Sequence, residues 1–390
     1  MDQKISIVGS GHTKFGALKE DNLESLIVRA SQEALQEAGI SGADIDAVFL
    51  GHFNAGMVND SFASSLIHQA DPSLRFKPAN RCENACASGS AAISAGVNAI
   101  LSGRANTVLV VGAEKMTSNT TPEVTRALGQ AGYQNNPEEA SLSFPQVFGI
   151  AAKEYQQRYQ DPLTAMAKIA AKNHANALKN PLAQLHKELT VEFCNTVSDK
   201  NPLIAPPLRM TDCSLITDGA AAIVLTRSDL AKNYPHQVNF KAFEQVSDFM
   251  PMSRRDFLAF EGPEKSIQQA FRIANISWQD LNFAEVHDCF TIAELLIYEA
   301  IGVAPKGQGF KALEEGIVYR EGKLPINLSG GLKAKGHPVG ATGVSMHALA
   351  YRQLTHQAGE MQLSSANLGL VFNMGGSAVA NYASVLEGVR

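Results

Sequence analysis

The stretch Asn84-Ala85-Cys86-Ala87-Ser88-Gly89-Ser90 opens a run that carries no charged residue between Glu83 and Arg104. Small and apolar residues would lie all around a helix formed by this run, whereas a helix on a protein surface has a polar face. The run therefore predicts a helix that is buried on every side and that neighbouring backbones approach closely.

Cys86 lies at the predicted start of this helix. Unpaired backbone N–H groups and the helix dipole favour a negative charge at that end. A thiol placed there can lose its proton well below the ordinary pKa of about 8.5 and act as a nucleophile. Taken alone, the motif also fits a buried and inert cysteine.

The composition is that of an ordinary globular protein. Of the 390 residues, 45% are hydrophobic and 18% are charged, which is enough chain for a large core in two or three domains, or in one duplicated domain. The net charge of −5, without any cluster of Lys or Arg, argues against nucleic acid and against an acidic membrane surface as partners. No run of about 18 strongly apolar residues predicts a membrane span.

Cysteine usage and the ends of the chain indicate the compartment. The five cysteines are an odd number and lack the spacing of metal ligands, so they predict a reducing cytoplasm and no metal site. Met1-Asp2-Gln3-Lys4 runs into an apolar segment that lacks a signal-peptide cleavage site, and Glu387-Gly388-Val389-Arg390 matches no recognised targeting signal. We therefore expect a cytoplasmic protein.

Short apolar segments alternate with helical patterns along the first part of the chain. We predict strands at Ile5–Val8, Ala47–Leu50 and Thr107–Val111, and we expect the helix that follows Cys86 to end near Gly103. Strands that alternate with helices indicate an α/β fold.

The character of the sequence changes from about Thr117 to Ala205. Polar turns, Asn-Pro steps and helical pieces such as Ala165–Leu178 predict an inserted, partly helical segment, after which Gly219–Thr226 returns to a strand. We therefore divide the chain into a first half of residues 1–118 and 206–229, an inserted loop domain of residues 119–205, and a second half of residues 236–390.

The second half repeats the pattern of the first. Ala34–Phe53 aligns without gaps on Ala270–Cys289, and each copy reads as a helix, a turn with Ser-x-x-Asp at its centre, and a strand. The residues that are identical at the constant offset of 236 are Ala34, Ala38, Ile40, Ser41 and Asp44. Asn84–Gly89 likewise matches Lys335–Gly340, and Asp218–Ala221 resembles Gly375–Ala378. Three matches in the same order predict an internal duplication, with the site where the halves meet.

Asn327–Gly343 is a glycine-dense loop that presents His337 at a helix start, at the position that duplicates Cys86. A lone histidine before proline is more often a loop or capping residue. The duplication favours a site instead, because duplicated helix starts would converge at a pseudo-twofold axis, and glycines would let a ligand touch the backbone.

Two further stretches carry chemistry. His287 and Cys289 lie two apart at the end of the repeated strand, where their side chains would point to the same face. The alternative is a structural strand end, in which the histidine makes its hydrogen bonds within the protein and the cysteine is simply buried. In Asn373–Ser377, Gly375 and its neighbour either expose backbone N–H groups to an oxyanion or form a strand bulge. The remaining cysteines, Cys82, Cys194 and Cys213, are interpreted as packing residues.

Together these motifs resemble the thiolases over nearly the whole chain. The motifs are the Cys86 segment, the loop Ser329-Gly330-Gly331…Gly336-His337-Pro338…Gly340-Ala341-Thr342-Gly343, and the strand entry Asp218-Gly219-Ala220-Ala221, in family order. The resemblance implies a duplicated α/β fold with two mixed sheets in a five-layered α-β-α-β-α arrangement and an inserted loop domain.

The segment His287-Asp288-Cys289-Phe290 resembles the branch typified by the thiolase part of sterol carrier protein X. Ordinary thiolases carry Asn-Glu-Ala-Phe there and a second catalytic cysteine in a C-terminal Cys-x-Gly. This chain has Asn373-Met374-Gly375 at that place. Asn373 supplies no thiol, and the resemblance implies that Cys289 provides it instead.

The reaction implied by the resemblance exchanges an acyl group between coenzyme A thioesters, in which 3-ketoacyl-CoA and CoA give acyl-CoA and acetyl-CoA, or the reverse. Cys86 would be the nucleophile, His337 its base and an oxyanion donor, and Cys289 the second acid and base. His287 would bind a water or the same oxyanion, and the backbone N–H groups of Cys86 and Gly375 would bind the tetrahedral oxyanion. Coenzyme A is a substrate, and no metal or redox cofactor is implied.

Two other classes of protein remain open from the sequence. A ketoacyl-synthase-like condensing enzyme would use Cys86, His287 and His337 as a triad, but it has no need of Cys289. A non-catalytic subunit that binds acyl-CoA is the other class. The resemblance also implies a homodimer or homotetramer, and some relatives in this branch work with a small zinc-ribbon/oligonucleotide-fold protein.

Overall fold

The computed structural model describes residues 5–389. The strands are β1 (Ile5–His12), β2 (Ala47–Gly51), β3 (Ala79–Cys82), β4 (Thr107–Glu114), β5 (Leu203–Ala205), β6 (Leu208–Arg209), β7 (Gly219–Arg227), β8 (Val238–Ser247), β9 (Phe283–Val286), β10 (Leu368–Gly375) and β11 (Ala380–Gly388). The helices are α1 (Leu23–Ala38), α2 (Ser88–Leu101), α3 (Thr121–Gly129), α4 (Pro137–Ala140), α5 (Phe144–Arg158), α6 (Leu163–Ala177), α7 (Val191–Asn195), α8 (Ser228–Ala231), α9 (Glu261–Ala274), α10 (Thr291–Ile301), α11 (Lys311–Glu314) and α12 (Thr342–Leu354).

Two mixed sheets meet edge to edge. In the first half the strand order is β3-β2-β4-β7-β1, and in the second it is β8-β11-β10-β9. Each combines parallel pairs, such as β2 with β4 and β9 with β10, with antiparallel ones. A short antiparallel contact between β1 and β8 at Ser6–Asn239 and Ile7–Val238 joins them into one nine-stranded sheet. The two predicted mixed sheets are therefore the two halves of a continuous one.

Helices cover both sheets and fill the space between them. The helix α1 packs on β1 and β7, and α9 packs on β8 and β11. The helices α2 and α12 contact each other, and α12 contacts strands of both halves. This arrangement confirms the five-layered α-β-α-β-α prediction, with α2 and α12 in the central layer.

The repeated helix–turn–strand unit has the same local structure in both halves. In the first copy the Asp44 carboxylate accepts from the backbone N–H of Ser41 at 2.9 Å, and in the second Asp280 accepts from Ser277 at 2.8 Å. Each pair caps a single turn of 3₁₀-helix before a buried strand. The predicted duplication is therefore confirmed at the level of hydrogen bonds.

The central helices differ in burial. Every residue of α12 from Thr342 to Tyr351 is buried, and this stretch carries no charged residue. In α2, however, Ala91, Ser94 and Ala95 are only half-buried and Asn98 is exposed. The prediction that this helix is buried on every side is wrong for that stripe, which keeps part of its surface exposed although Ala91 and Ala95 pack against neighbouring apolar clusters.

Residues 119–205 form the helices α3 to α7 and the strand β5. The helix α6 reaches the second half of the chain, where Lys172 Nζ donates to the carbonyl of Ile326 at 2.7 Å and pairs with Glu294 at 2.8 Å. Both side chains are buried. The predicted insertion thus packs against the second half, while its exact boundaries stay a prediction.

Within residues 5–389, no helix is both long and apolar enough to cross a membrane.

The contact between α2 and α12 depends on glycines. A Cβ at Gly343 would overlap the backbone nitrogen of Ser90, which cannot move without shifting α2. We expect Gly343→Ala to lower the free energy of unfolding by about 1–3 kcal/mol, as overpacking does. Chemical denaturation measures this change.

Gly129 at the end of α3 is the matched control, since a Cβ there meets nothing within 4 Å. Gly129→Ala is expected to leave stability unchanged or raise it by up to about 1 kcal/mol. Equal loss in both variants would contradict the account of close packing.

Candidate active site

Cys86 lies two residues before the first residue of α2, in a tight turn after β3. Ala85 has a φ of 51°, a left-handed conformation that residues with a Cβ rarely adopt. The Ser88 hydroxyl stabilises this turn, since it donates to the Ala85 carbonyl at 2.6 Å and accepts from the backbone N–H of Asn84 at 3.0 Å. The turn places the Cys86 thiol at the helix start, as the sequence predicts.

The pKa of Cys86 is shifted in the direction opposite to the one expected from its position at a helix start. Burial raises it to about 12, although the nearby backbone amide of Gly376 acts in the other direction. The nearby carboxylate of Glu114 raises it further. Desolvation of the thiolate therefore outweighs the helix start, and Cys86 rests as a thiol that must lose its proton to a base.

His337 lies in the glycine-dense loop before α12, held from two sides. Its backbone N–H donates to Thr217 Oγ1 at 3.0 Å, and its Nδ1 lies 2.7 Å from Thr342 Oγ1. Its Nε2 is buried and has no hydrogen-bond partner in the described chain. Burial, together with the charge of Lys335, lowers the pKa of His337 to about 3, so the imidazole is neutral and can accept a proton.

His287 and Cys289 follow the last residue of β9 and are both buried. His287 Nδ1 lies 2.8 Å from Asn373 Nδ2, and its ring lies edge-on to that of His337, with 5.1 Å between centroids. Burial lowers the pKa of His287 well below its usual value. Burial raises the pKa of Cys289, and the charge of Cys86 raises it further.

Three of the predicted residues converge closely. The ligand atoms of Cys86, His287 and His337 all lie within 4.8 Å of one another. Cys289 is near enough to Cys86 for the charge of one thiolate to raise the pKa of the other thiol. A thiol and two imidazoles also form a donor set that a soft metal ion takes, so the prediction of a metal-free site stays a prediction.

Gly375 and Gly376 have different surroundings. Gly375 is the last residue of β10, and a Cβ there would overlap the carbonyl of Asn84. Gly376, with a φ of 63°, lies near enough for its backbone amide to lower the pKa of Cys86. Both glycines thus lie at the thiol, and the assignment of the oxyanion donor to Gly375 stays a prediction.

Several residues that hold the site were missed in the sequence. The Glu114 carboxylate accepts from the backbone N–H groups of Phe53, Asn54 and Gly340, each at 3.0 Å, and so ties the His337 loop to the first half. Arg255 donates to Ser377 Oγ at 2.8 Å beside the Gly376 turn. Glu114 ends a buried strand, which is a usable signal, whereas nothing in the sequence around Arg255 marks it.

Asp218 and Asp288 have structural roles that the motifs did not reveal. Asp218 accepts from Lys115 Nζ at 2.6 Å and from the backbone N–H of Met116 at 2.7 Å. Asp288 accepts from the backbone N–H of Leu332 at 2.6 Å and so anchors the loop that leads to His337. These carboxylates position main chain around the site.

The two shifted pKa values predict a flat pH profile for acylation. A histidine with a pKa of about 3 is neutral above that pH, and a thiol with a pKa of about 12 is protonated below it. We expect the single-turnover rate of acyl transfer to Cys86 to change less than about threefold between about pH 6 and pH 9, whereas ordinary residues would titrate near 6.5 and 8.5. A bell-shaped profile with those two ordinary pKa values would contradict the neutral thiol–imidazole pair.

A duplicated α/β fold that places a helix-start cysteine beside two histidines is an arrangement that can support nucleophilic catalysis by a cysteine. The sequence matches the thiolase N-terminal domain family over residues 5–229 and the thiolase C-terminal domain-like family over residues 244–388. An acetyl-CoA acetyltransferase of Methanothermobacter thermautotrophicus is 37% identical, with 96% of each chain covered. Human sterol carrier protein 2 is 30% identical, over 96% of this chain and 70% of that protein.

Solved structures show the same fold. A chain of the Ltp2-ChsH2(DUF35) aldolase superposes with a TM-score of 0.84 at 20% identity, over 99% of this chain and 98% of that chain. Human mitochondrial 3-ketoacyl-CoA thiolase in complex with CoA superposes with a TM-score of 0.75 at 18% identity, with the same coverage. The chain belongs to the thiolase family, and the resemblance stated from the sequence is confirmed.

Proposed function

We propose that this chain catalyses acyl transfer between coenzyme A thioesters, by Claisen condensation or its reverse, through an acyl group carried on Cys86. The observation that carries the proposal is the convergence of Cys86, His287 and His337 within 4.8 Å, with Cys289 beside them. The relatives named acetyl-CoA acetyltransferase support it, at 35–37% identity over 96% of this chain.

The cleaving direction begins at the ketone of a 3-ketoacyl-CoA. His337 takes the proton of the Cys86 thiol, and the sulfur attacks the ketone carbon. The carbon–carbon bond breaks, its electron pair goes to the α-carbon, and acetyl-CoA leaves as an enolate. Cys289 gives its proton to that α-carbon and becomes a thiolate.

A second coenzyme A completes the cycle. Its thiol gives a proton to the Cys289 thiolate and attacks the acyl carbon on Cys86. Cys86 leaves as the new acyl-CoA forms and recovers its proton from His337. The condensing direction reverses each step, with Cys289 removing the α-proton of acetyl-CoA.

Backbone and imidazole N–H groups would stabilise the negative oxygens. The backbone amide of Gly376 already acts on the Cys86 thiol by lowering its pKa, and the N–H groups of Cys86 and Gly375 are the donors that the family resemblance implies. His287, with His337 once protonated, would bind the thioester oxygen. Loss of one such donor typically costs about 10²–10³ in rate.

An activity assay on the purified chain tests the proposal. We expect 3-ketoacyl-CoA and CoA to give acetyl-CoA and a shortened acyl-CoA, and a series of chain lengths gives the substrate preference. Consumption of malonyl-CoA with loss of carbon dioxide would point instead to the ketoacyl-synthase-like alternative. Binding of acyl-CoA without turnover would point to a non-catalytic subunit.

Apolar side chains around the site support an aliphatic acyl group. Cys86 packs against a cluster that includes Phe53, Met57 and Met116. One small cavity beside the Gly376 turn is lined by Phe144, Val147, Met250, Met252 and Ser377 among others.

We also propose that the reaction needs no metal or redox cofactor, since every proton in the cycle moves between the two thiols, His337 and coenzyme A. A chelator such as EDTA is expected to leave the thiolysis rate unchanged. Added Zn²⁺ is expected to inhibit, because Cys86, His287 and His337 lie close enough to bind it together. Loss of activity in EDTA, restored by one metal ion, would contradict the metal-free cycle.

The remaining proposals concern assembly and location. We propose a homodimer or homotetramer, supported by the outer edge of β3 and by exposed aromatic side chains at Phe62 and Phe76, 81% and 88% exposed. A small partner protein is supported by the likeness to the Ltp2-ChsH2(DUF35) complex. A cytoplasmic location suits a reaction that needs two reduced thiols. Size measurement of the protein purified from lysate tests the assembly.

A further inference from the structure

The two histidines that face Cys86 are held by different kinds of partner. In each of them Nδ1 is engaged within the protein, which leaves Nε2 as the nitrogen available to the site. The partner of His337 is a hydroxyl, from Thr342, and the partner of His287 is an amide nitrogen, from Asn373. A neutral imidazole carries one proton, and the group at Nδ1 decides which nitrogen holds it.

For His337 the proton count favours Nδ1. Thr342 Oγ1 lies 2.7 Å from Nδ1 and 3.1 Å from the carbonyl of Pro338, to which its hydroxyl can donate. If Nδ1–H donates to Thr342 Oγ1, the imidazole proton and the Thr342 hydroxyl proton both have acceptors. Only the lone pair at Nε2 then lacks a partner. The opposite assignment would bury an N–H at Nε2, where the described chain offers no acceptor, and orphaned N–H groups are the rarer and costlier case.

For His287 the orientation of the Asn373 amide decides. Its Nδ2 lies 3.3 Å from the carbonyl oxygen of Cys86, and its Oδ1 accepts from the Ser90 hydroxyl at 2.8 Å. If the amide were flipped, Asn373 Oδ1 would lie next to the carbonyl oxygen of Cys86, with no hydrogen between the two acceptors. Nδ2 therefore also faces His287 Nδ1 as a donor, at 2.8 Å. Nδ1 accepts, and the single proton of His287 must lie on Nε2.

We propose that Thr342 and Asn373 are positioning residues that hold His337 and His287 in opposite tautomers, a lone pair at Nε2 of the first and an N–H at Nε2 of the second. The roles below rest on the proposed acyl transfer, whereas the tautomers themselves do not. Asn373 thereby has a function at the place where ordinary thiolases carry a cysteine.

The two tautomers divide the chemistry. The Nε2 lone pair of His337 takes the proton from the Cys86 sulfur, and its Nδ1–H remains bonded to Thr342 throughout. The Nε2–H of His287 donates to the substrate oxygen and gives up no proton. Both neutral rings face one buried pocket. If both were protonated at Nδ1, the site would lack an N–H donor, and if both were protonated at Nε2, it would lack a base.

Nitrogen NMR of the protein labelled with ¹⁵N-histidine tests the proposal directly, because protonated and unprotonated ring nitrogens have well-separated shifts. His287→Asn and His337→Asn assign the signals. We expect His337 protonated at Nδ1 and His287 protonated at Nε2. The same tautomer in both rings of the wild-type protein would overturn the proposal, whatever the activity.

Variants give the kinetic arm. Thr342→Val removes the hydroxyl and is expected to lower kcat about 10²-fold or more with KM within about threefold, while Thr342→Ser, which keeps the hydroxyl, restores most of the rate. Asn373→Asp replaces the donor by an acceptor, so the His287 proton moves to Nδ1 and kcat falls by about 10²–10³, the loss of one oxyanion donor. Equal activity of the valine and serine variants, or an unchanged His287 signal in Asn373→Asp, would overturn the proposal.

The control breaks a similar bond away from Cys86. His347 Nε2 lies 2.8 Å from Ser384 Oγ, and both residues are buried. Ser384→Ala removes this hydroxyl from a histidine and is expected to keep kcat. If Ser384→Ala lowers kcat as much as Thr342→Val, the losses come from general destabilisation and the proposed tautomer control is wrong. If no variant and no wild-type protein turns over coenzyme A thioesters, the proposed function fails while the NMR result still decides the tautomers.

Discussion

Replacing Cys86 by alanine is expected to lower the thiolysis rate by about 10⁶-fold, as loss of a catalytic nucleophile does in other enzymes. The reason is that every acyl group in the cycle passes through the Cys86 sulfur. Alanine is small enough to fit the turn between β3 and α2, so the fold should be kept. Steady-state release of acetyl-CoA from a 3-ketoacyl-CoA measures the effect.

Cys82 provides the control for this variant. It is half-buried at the end of β3, and burial raises the pKa of its thiol to about 11. Cys82→Ala is expected to keep the rate within about threefold of wild type, because the cycle does not use this thiol. A Cys86→Ala protein that still cleaves 3-ketoacyl-CoA at a measurable fraction of the wild-type rate would rule out the covalent route.

Cys289→Ala is expected to separate the two halves of the reaction. Acyl transfer from an acyl-CoA to Cys86 should continue, because His337 remains to take the thiol proton. Carbon–carbon bond making and breaking should fall by about 10²–10⁴, the usual contribution of a general acid or base. The two rates are measured as acyl-enzyme formation from acetyl-CoA and as condensation of two acetyl-CoA molecules.

Cys213→Ala is the matched control, since Cys213 lies on the segment that pairs with Phe290 next to Cys289. Its thiol donates to the carbonyl of Arg209 at 3.6 Å and has no part in the cycle. We expect both rates to be retained. Loss of acylation together with condensation in Cys289→Ala would mean that Cys289 shapes the Cys86 site instead of moving protons.

The sequence predicted the elements whose pattern is local. The strands β1, β2 and β4 contain the predicted segments Ile5–Val8, Ala47–Leu50 and Thr107–Val111, because a short apolar run is itself the signal of a buried strand. The duplication located the meeting of the two helix starts, which Gly89 and Gly343 allow by their close approach. These conclusions needed no knowledge of distant contacts.

The parts that the sequence could not give depend on burial and on distant partners. The pKa of Cys86 was expected to fall, but the surrounding protein removes more solvation than the helix start returns. The exposed stripe of α2 around Asn98 carries small residues that look the same in a buried helix. The sequence identified Asn373 only as the residue that stands in place of a cysteine. Its contact with His287 could not be predicted, because the fold alone brings these two distant residues together.

The most direct test of the covalent two-thiol account is the position of the acyl label. Wild-type protein and Cys289→Ala are incubated with acetyl-CoA, quenched in acid, digested and mapped by mass spectrometry. The account predicts an added acetyl group on the peptide that contains Cys86 in both proteins. Label on Cys289, or no label in either protein, would contradict it.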